Sequence, residues 1–399
     1  MIRFGLAATL ACLVLGSPEA SAAVPPTACA YLSSSISALS PGPVFLASYP
    51  AVKSGPLQGA AFLYDNAVAT IALVACGDAK KAAQIGDAFL AALDRDRYWH
   101  DGRLRNGYLA GSVGPGPVKL AGWWDAKQNM WVEDRYQVGS DNGNMAWAIL
   151  ALLALDHATG DHRYRDGAAR IGGWIKQWRD KRRPGGFTGG TFGHEPVPTV
   201  EPWKSTEHNT DLYAAFRGLA GATGDKSWLG EASAAGGLVR AMWRPKCGCF
   251  AVGTTEDGKT RNMYLALDAQ TWPLLAIPGA AIRYKGAMAP STLRDGDGFA
   301  YSEAKEGLWT EGTAQVALLL ELSGRADEGD TFMKAMAAMR APDGSYYAAS
   351  TRELPTGFML ETDPTQPRQY FHIEHLAAVS WAVIAERRYN PFTGETALP

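Results

Sequence analysis

A helix that is apolar on every side has to be buried on every side, and this chain carries such segments in regular alternation with segments that show one charged face. Met145 to Leu155 is apolar all round, whereas the stretch from Asp161 to Asp180 presents Arg163, Arg165, Arg170, Lys176 and Arg179. Apolar periodicity predicts helices over 28–38, 64–75, 79–93, 142–158, 162–178, 209–222, 226–242, 269–277, 280–288, 312–322, 326–339 and 374–386. Outer and inner helices alternate, beginning with an outer one. The arrangement is a diverged repeat of helical hairpins with no fixed period.

Each inner helix opens on a polar cluster. The clusters are Tyr64-Asp65-Asn66-Ala67, Ser140-Asp141-Asn142-Gly143-Asn144, Thr206-Glu207-His208-Asn209-Thr210-Asp211, Asp268-Ala269-Gln270-Thr271-Trp272, Thr310-Glu311-Gly312-Thr313-Ala314-Gln315 and His372-Ile373-Glu374-His375. Inner helices end in tight turns at Gly77-Asp78, Gly160-Asp161, Gly224-Asp225 and Gly324-Arg325, where glycine supplies a left-handed cap and Asp can cap the next helix. The opposite links are long. In antiparallel hairpins all long links emerge where the inner helices start, so loops and polar clusters share one end, the usual place for binding and chemistry.

The N-terminus, with Arg3, an apolar run from Phe4 to Gly16 and then Ala20-Ser21-Ala22, has the three parts of a secretory signal, which places residues 1–22 in a leader and 23–399 in one catalytic domain. A secreted or periplasmic location follows. Without Cys12 the chain keeps Cys29, Cys76, Cys247 and Cys249, an even number in a compartment that permits disulfides. Of the three pairings, Cys29 with Cys76 is preferred, leaving Cys247-Gly248-Cys249 to close a small ring or stay reduced. A net charge of -2 with intermixed signs gives no footprint for nucleic acid. No later segment has membrane-spanning length, and a monomer is expected.

Twelve alternating helices with long loops at the inner-helix N-termini resemble the (α/α)6 barrel, or toroid, of the six-hairpin glycosidase superfamily. The resemblance covers nearly the whole chain after the leader. Tyr64-Asp65-Asn66-Ala67 is similar to an inner-helix start of the bacterial α-1,6-mannanases, yet Asn66 and Asn142 stand where those enzymes have a second aspartate. The glycosidase family is therefore not assigned. The resemblance implies an all-α fold and a glycoside hydrolase that acts on a polysaccharide or oligosaccharide and needs no cofactor.

Glycosidic cleavage needs one carboxyl group to protonate the leaving oxygen and a second as base or nucleophile. Glu207 is the first candidate, in the densest cluster, with Asp211 one turn deeper on the same face. Asp141 is the chosen partner, with Asp65 and Glu311 as runners-up. Asn66, Asn142, Asn144, His208, Asn209, Asp211, Asp268, Gln270, Gln315 and Glu374 are expected to hold sugar hydroxyls, since amides and imidazoles both donate and accept. Trp124, Trp131, Trp203, Trp309 and Tyr370, in or beside the long loops, suit the faces of pyranose rings. Any one of these acids could merely cap a helix, but a single residue suffices for capping, and burying several polar groups without partners is costly.

Other motifs carry less. His372-Ile373-Glu374-His375 lacks the HExxH spacing and a third ligand, so no metal is expected. Gly185 to Gly190 has no phosphate-loop Lys, Asp295-Gly296-Asp297-Gly298 lacks the distal Glu of a calcium loop, and no GxSxG elbow occurs. Two rivals remain. One is a polysaccharide lyase, for which Arg103, Arg105, His194, His208 and Tyr213 offer a base and cations; the other is a non-catalytic glycan-binding protein of exopolysaccharide synthesis or export.

Overall fold

In the inner helices nearly every position is apolar or small, and in the structure nearly every position is buried. The computed structural model describes residues 27–39, 41–360 and 362–399; the expected leader and its boundary lie outside these. The helices are α1 (Ala28–Ser37), α2 (Leu63–Ala75), α3 (Ala79–Arg95), α4 (Arg135–Val138), α5 (Asn142–Thr159), α6 (Arg163–Ile175) and α7 (Thr206–Thr223). They continue as α8 (Trp228–Met242), α9 (Asp268–Ala276), α10 (Ala280–Arg283), α11 (Thr310–Leu322), α12 (Ala326–Ala337) and α13 (Leu376–Glu386). All residues of α9 are buried, as are Thr310 to Leu320 of α11 and Leu376 to Ala385 of α13.

Helices α2, α5, α7, α9, α11 and α13 pack each on the next, and α13 packs back on α2. The contacts thus form a closed cycle, in which α7 lies across from α13 and α9 across from α2. The amphipathic helices sit outside: α3 against α2 and α5, α6 against α5 and α7, α12 against α11 and α13, and α1 against α13 and α2. Indoles fill the centre. Trp147, Trp272 and Trp381 pack on one another, and Phe392 of the C-terminal segment packs on Trp147 at 5.1 Å. That segment is pinned where Asn390 donates to the Leu275 carbonyl near the end of α9.

The tight turns form as the sequence predicts. Gly160 and Gly224 cap α5 and α7 at φ 71° and 72°, in the left-handed region. Asp78 then accepts from the Lys81 backbone N–H and caps α3. Cys29 is bonded to Cys76, tying α1 to the end of α2, and Cys247 is bonded to Cys249.

Four expectations are corrected. The fold is not wholly helical: the long links carry short antiparallel strands, among them 353–359 with 367–371, 123–125 with 130–132, and the three-stranded set 140–141, 190–192 and 199–201. Most are two or three residues long, too short for an alternating pattern to show. The helix predicted over 280–288 is one turn followed by a 3-10 turn at Lys285–Ala287, and the end of the 162–178 helix tightens likewise at Lys176–Trp178. Finally, α13 starts at Leu376, which makes His375 its extended N-cap residue. That two-residue shift changes which side chain of the last cluster faces inward.

Candidate active site

Two groups of carboxylates face each other across the N-terminal end of the inner ring. On the α2, α11 and α13 side, His375 Nε2 lies 3.1 Å from Asp65 Oδ2 and its Nδ1 lies 3.3 Å from Glu311 Oε1. Burial alone would discharge this imidazole, but the Asp65 and Glu311 carboxylates outweigh it and raise its pKa to about 10. It is an imidazolium clasped by two acids. Tyr49 stacks on its ring at 4.4 Å, and the Tyr64 hydroxyl donates to Glu311 Oε2 at 3.2 Å while accepting from the Trp381 indole at 2.7 Å.

On the α7 and α9 side, the Glu207 and Asp268 carboxyl groups hydrogen-bond to each other. Burial pushes both up, Asp268 to about 6 and Glu207 well above the usual carboxylate range, with the neighbouring Asp268 charge adding to the shift of Glu207. Two acids this close hold one proton between them near neutral pH. Below them Asp211 is fully buried with the Trp147 indole as its nearest donor, and burial with the charges of Glu207 and Asp268 raises its pKa strongly. It is a neutral acid at the floor. His208, enclosed against Trp203 and the first turn of α5 at Gly143, is lowered by burial to about 4 and is neutral.

The amides do something else. Asn66 donates to the Leu46 and Phe62 carbonyls and accepts from the Leu46 N–H; Asn209 does the same with Phe187 and Ser205, and Gln270 with Phe250 and Ala266. Asn142 donates to the Thr188 carbonyl. Each side chain clamps a loop backbone onto an inner helix, which engages both donor and acceptor of Asn66, Asn209 and Gln270, while Asn142 keeps its Oδ1 without a partner. Buried loop backbone must find partners, and an amide offers donor and acceptor together. Gln315 accepts from Thr271 between α11 and α9, fully buried. Asn144 is only half-buried; it donates to Asn106 and to the Tyr136 hydroxyl.

Asp141 is nearly buried and accepts from Asn106 at 2.8 Å. Glu374 lies beside Tyr31 of α1 with Asp343 and Ser345, on the outer side, so the residue of this cluster that meets the carboxylates is its neighbour His375. Trp309 is buried and, with Tyr301, packs on Tyr370. Trp203 is half-buried over His208, whereas Trp124 and Trp131 pair across an exposed hairpin, 58% and 53% exposed. Of the cations considered for a lyase, Arg105 is fully buried against Asp96 and Glu195, and Arg103 pairs with Asp101. Sequence reasoning passed over Tyr49, Tyr301 and Asn106, on irregular loops, and Arg368, on the short strand 367–371. Two open surface depressions, one beside Trp131 and His194 and the other beside His100 and Trp174, hold none of the clustered acids.

Among the described residues no His, Cys, Asp and Glu group is arranged to hold a metal ion, and no helix is long and apolar enough to cross a membrane. A helical ring with opposed carboxylates at one end defines the class. Among solved structures the chain is similar to a glycosidase variant in complex with glucose, at 14% identity over 90% of this chain and 95% of that one, with a TM-score of 0.57. It is also similar to a novel alpha-amylase from Clostridium perfringens (9% identity, 83% and 86% covered, TM-score 0.55) and to a sugar epimerase from a ruminal bacterium (10%, 87% and 92%, 0.57). No family model and no curated protein matches. At these identities the likeness is one of fold, in keeping with the six-hairpin glycosidase resemblance.

Proposed function

We propose that the protein is an exported glycoside hydrolase, a single (α/α)6 catalytic domain that cleaves a polysaccharide or oligosaccharide in a cleft at the inner-helix N-termini. The observation that carries this reading is the buried pair of Glu207 and Asp268, set across the ring from Asp65, Glu311 and His375. Glu207 is only partly buried as a residue, and burial with the neighbouring Asp268 favours its protonated form, as suits a general acid. Of the opposing acids, Glu311 is sealed at 0% side-chain exposure and Asp65 keeps 5%, so Asp65 is the base that water can reach, with Asp141 on the neighbouring helix start as the alternative. Glu311 orients His375 and Tyr64. The two disulfides support export, being stable in oxidising compartments.

A second reading is sugar epimerisation, which moves a proton between the two faces of one carbon. It needs a neutral base and a charged acid, and His208 and His375 are of these two kinds. The two readings separate in one experiment on the mature protein, in which new reducing ends, ultraviolet absorbance and sugar isomers are followed together. Reducing ends without absorbance and with loss of turnover in Glu207→Gln support the hydrolase. A new isomer without chain cleavage would replace it by the epimerase, and absorbance by a lyase.

A further inference from the structure

The hairpin of strands 353–359 and 367–371 projects over the acid cluster. Alternation along a strand puts residues two apart on the same face, so Arg368 shares the face of Tyr370. That face looks inward: the Tyr370 ring lies 5.4 Å from Trp309, 5.6 Å from Tyr301 and 6.1 Å from His375. The backbone at Arg368 is held, because its carbonyl accepts from Thr356 Oγ1 at 2.8 Å. The residue as a whole is exposed, while its charged group is partly desolvated among its neighbours.

Its surroundings are unusual for a cation. Among the described residues Arg368 forms no ion pair and donates no side-chain hydrogen bond, whereas the buried cations Arg105 and Lys204 are each paired with carboxylates. Tyr301, Tyr370, Tyr136 and Glu207 all lie within electrostatic reach of Arg368, and its charge is felt by Glu207 and Asp268. Tyr301 and Tyr370 flank the start of α11, while Tyr136 precedes α5, directly across the ring. Arg368 therefore stands on the inward face of the hairpin with Tyr370, among these phenols and above the acids. Arg368 thus acts on Glu207 and Asp268 from beyond ion-pair distance, which leaves its donors open to an incoming anion.

We propose that the site takes a sugar bearing an anionic substituent, a uronate carboxylate or a sulfate ester, received by Arg368 together with the Tyr136, Tyr301 and Tyr370 hydroxyls. This rests on the carbohydrate reading above and names its substrate class. A planar fork of N–H donors matches a carboxylate in two parallel hydrogen bonds and a sulfate nearly as well. The phenols add donors without adding charge, so the anion meets one cation before it reaches the repelling carboxylates beneath.

The test is calorimetric binding to the full disulfide-bonded protein of paired probes: glucuronate against glucose, galacturonate against galactose, mannuronate against mannose, and glucose 6-sulfate. At least one acidic probe should bind about tenfold or more tighter than its neutral partner, and Arg368→Gln should erase that margin by weakening the acidic probe far more than the neutral one. Arg368→Lys, which keeps the charge and loses the fork, should retain part of the margin for the sulfate and less for the carboxylate. Arg368 is exposed and unpaired, so both variants should fold as the parent does. Equal binding of acidic and neutral partners, no binding of any probe, or an undiminished margin in Arg368→Gln overturns the proposal. A charge preference that depends on Arg368 in a protein that cleaves no glycan would uphold this proposal while removing the hydrolase reading.

Discussion

Replacing His375 with Gln removes the imidazolium between Asp65 and Glu311 while keeping a side chain that can donate to both. In the native fold this imidazole has a pKa of about 10 against an ordinary 6.5, burial opposing the charge and the two carboxylates overriding it. A folded-state pKa above the unfolded one stabilises fully below about pH 6.5, and the contribution is lost as pH rises through about 10. One pKa unit is worth about 1.4 kcal/mol, so the window holds at most about 5 kcal/mol. The variant leaves two buried acids facing each other without their cation, at a cost of about 3–5 kcal/mol near neutrality. Urea denaturation at about pH 6, 8 and 10 reads both effects. The gap between parent and variant should be widest at the lowest pH and close as pH rises. Parallel stability curves, or a gap that widens toward alkaline pH, would refute the imidazolium clasp.

Three other outcomes are expected. Asn209→Ala strands the Phe187 N–H and carbonyl and should cost about 2–4 kcal/mol in denaturant stability, without the enlarged KM that a sugar contact would bring; unchanged stability would contradict the clamp. Removing the Cys29–Cys76 bond, which closes a separation of 47 residues, should cost about 4 kcal/mol, read as a lower denaturation midpoint of the Cys29→Ser, Cys76→Ser protein. His208, depressed to about 4, stabilises fully above pH 6.5 and loses that contribution as pH falls toward 4; its imidazole NMR shifts should stay in the neutral form down to about pH 5, and a midpoint near 6.5 would place it in water.

The architecture was legible because it follows from burial. A segment such as 145–155 has no polar face to turn outward, and Gly160-Asp161 or Gly224-Asp225 marks where such a helix must end. Each predicted helix has a counterpart within a few residues, apart from the shortened α10. The site was legible by address and less so by role. Asn66, Asn209 and Gln270 stand in the polar clusters, but an amide at a helix start serves a loop backbone as well as it serves a sugar, and nothing in the sequence says which loop arrives there. His375 was present in the last cluster, yet a predicted helix start two residues early hands its place to Glu374. Arg368 and Tyr301 lie in links whose path is set by tertiary packing, so no periodicity marks them.

The central claim is that Glu207 carries the proton for glycosidic cleavage, and the direct measurement is Glu207→Gln beside the parent on a panel of neutral and acidic glycans, with binding and new reducing ends followed on the same samples. Gln keeps the shape and hydrogen bonds of the protonated acid but has no proton to give. The account predicts that glycan binding survives while turnover falls by about a hundredfold or more. Full turnover in the variant would contradict the claim and remove Glu207 from the reaction.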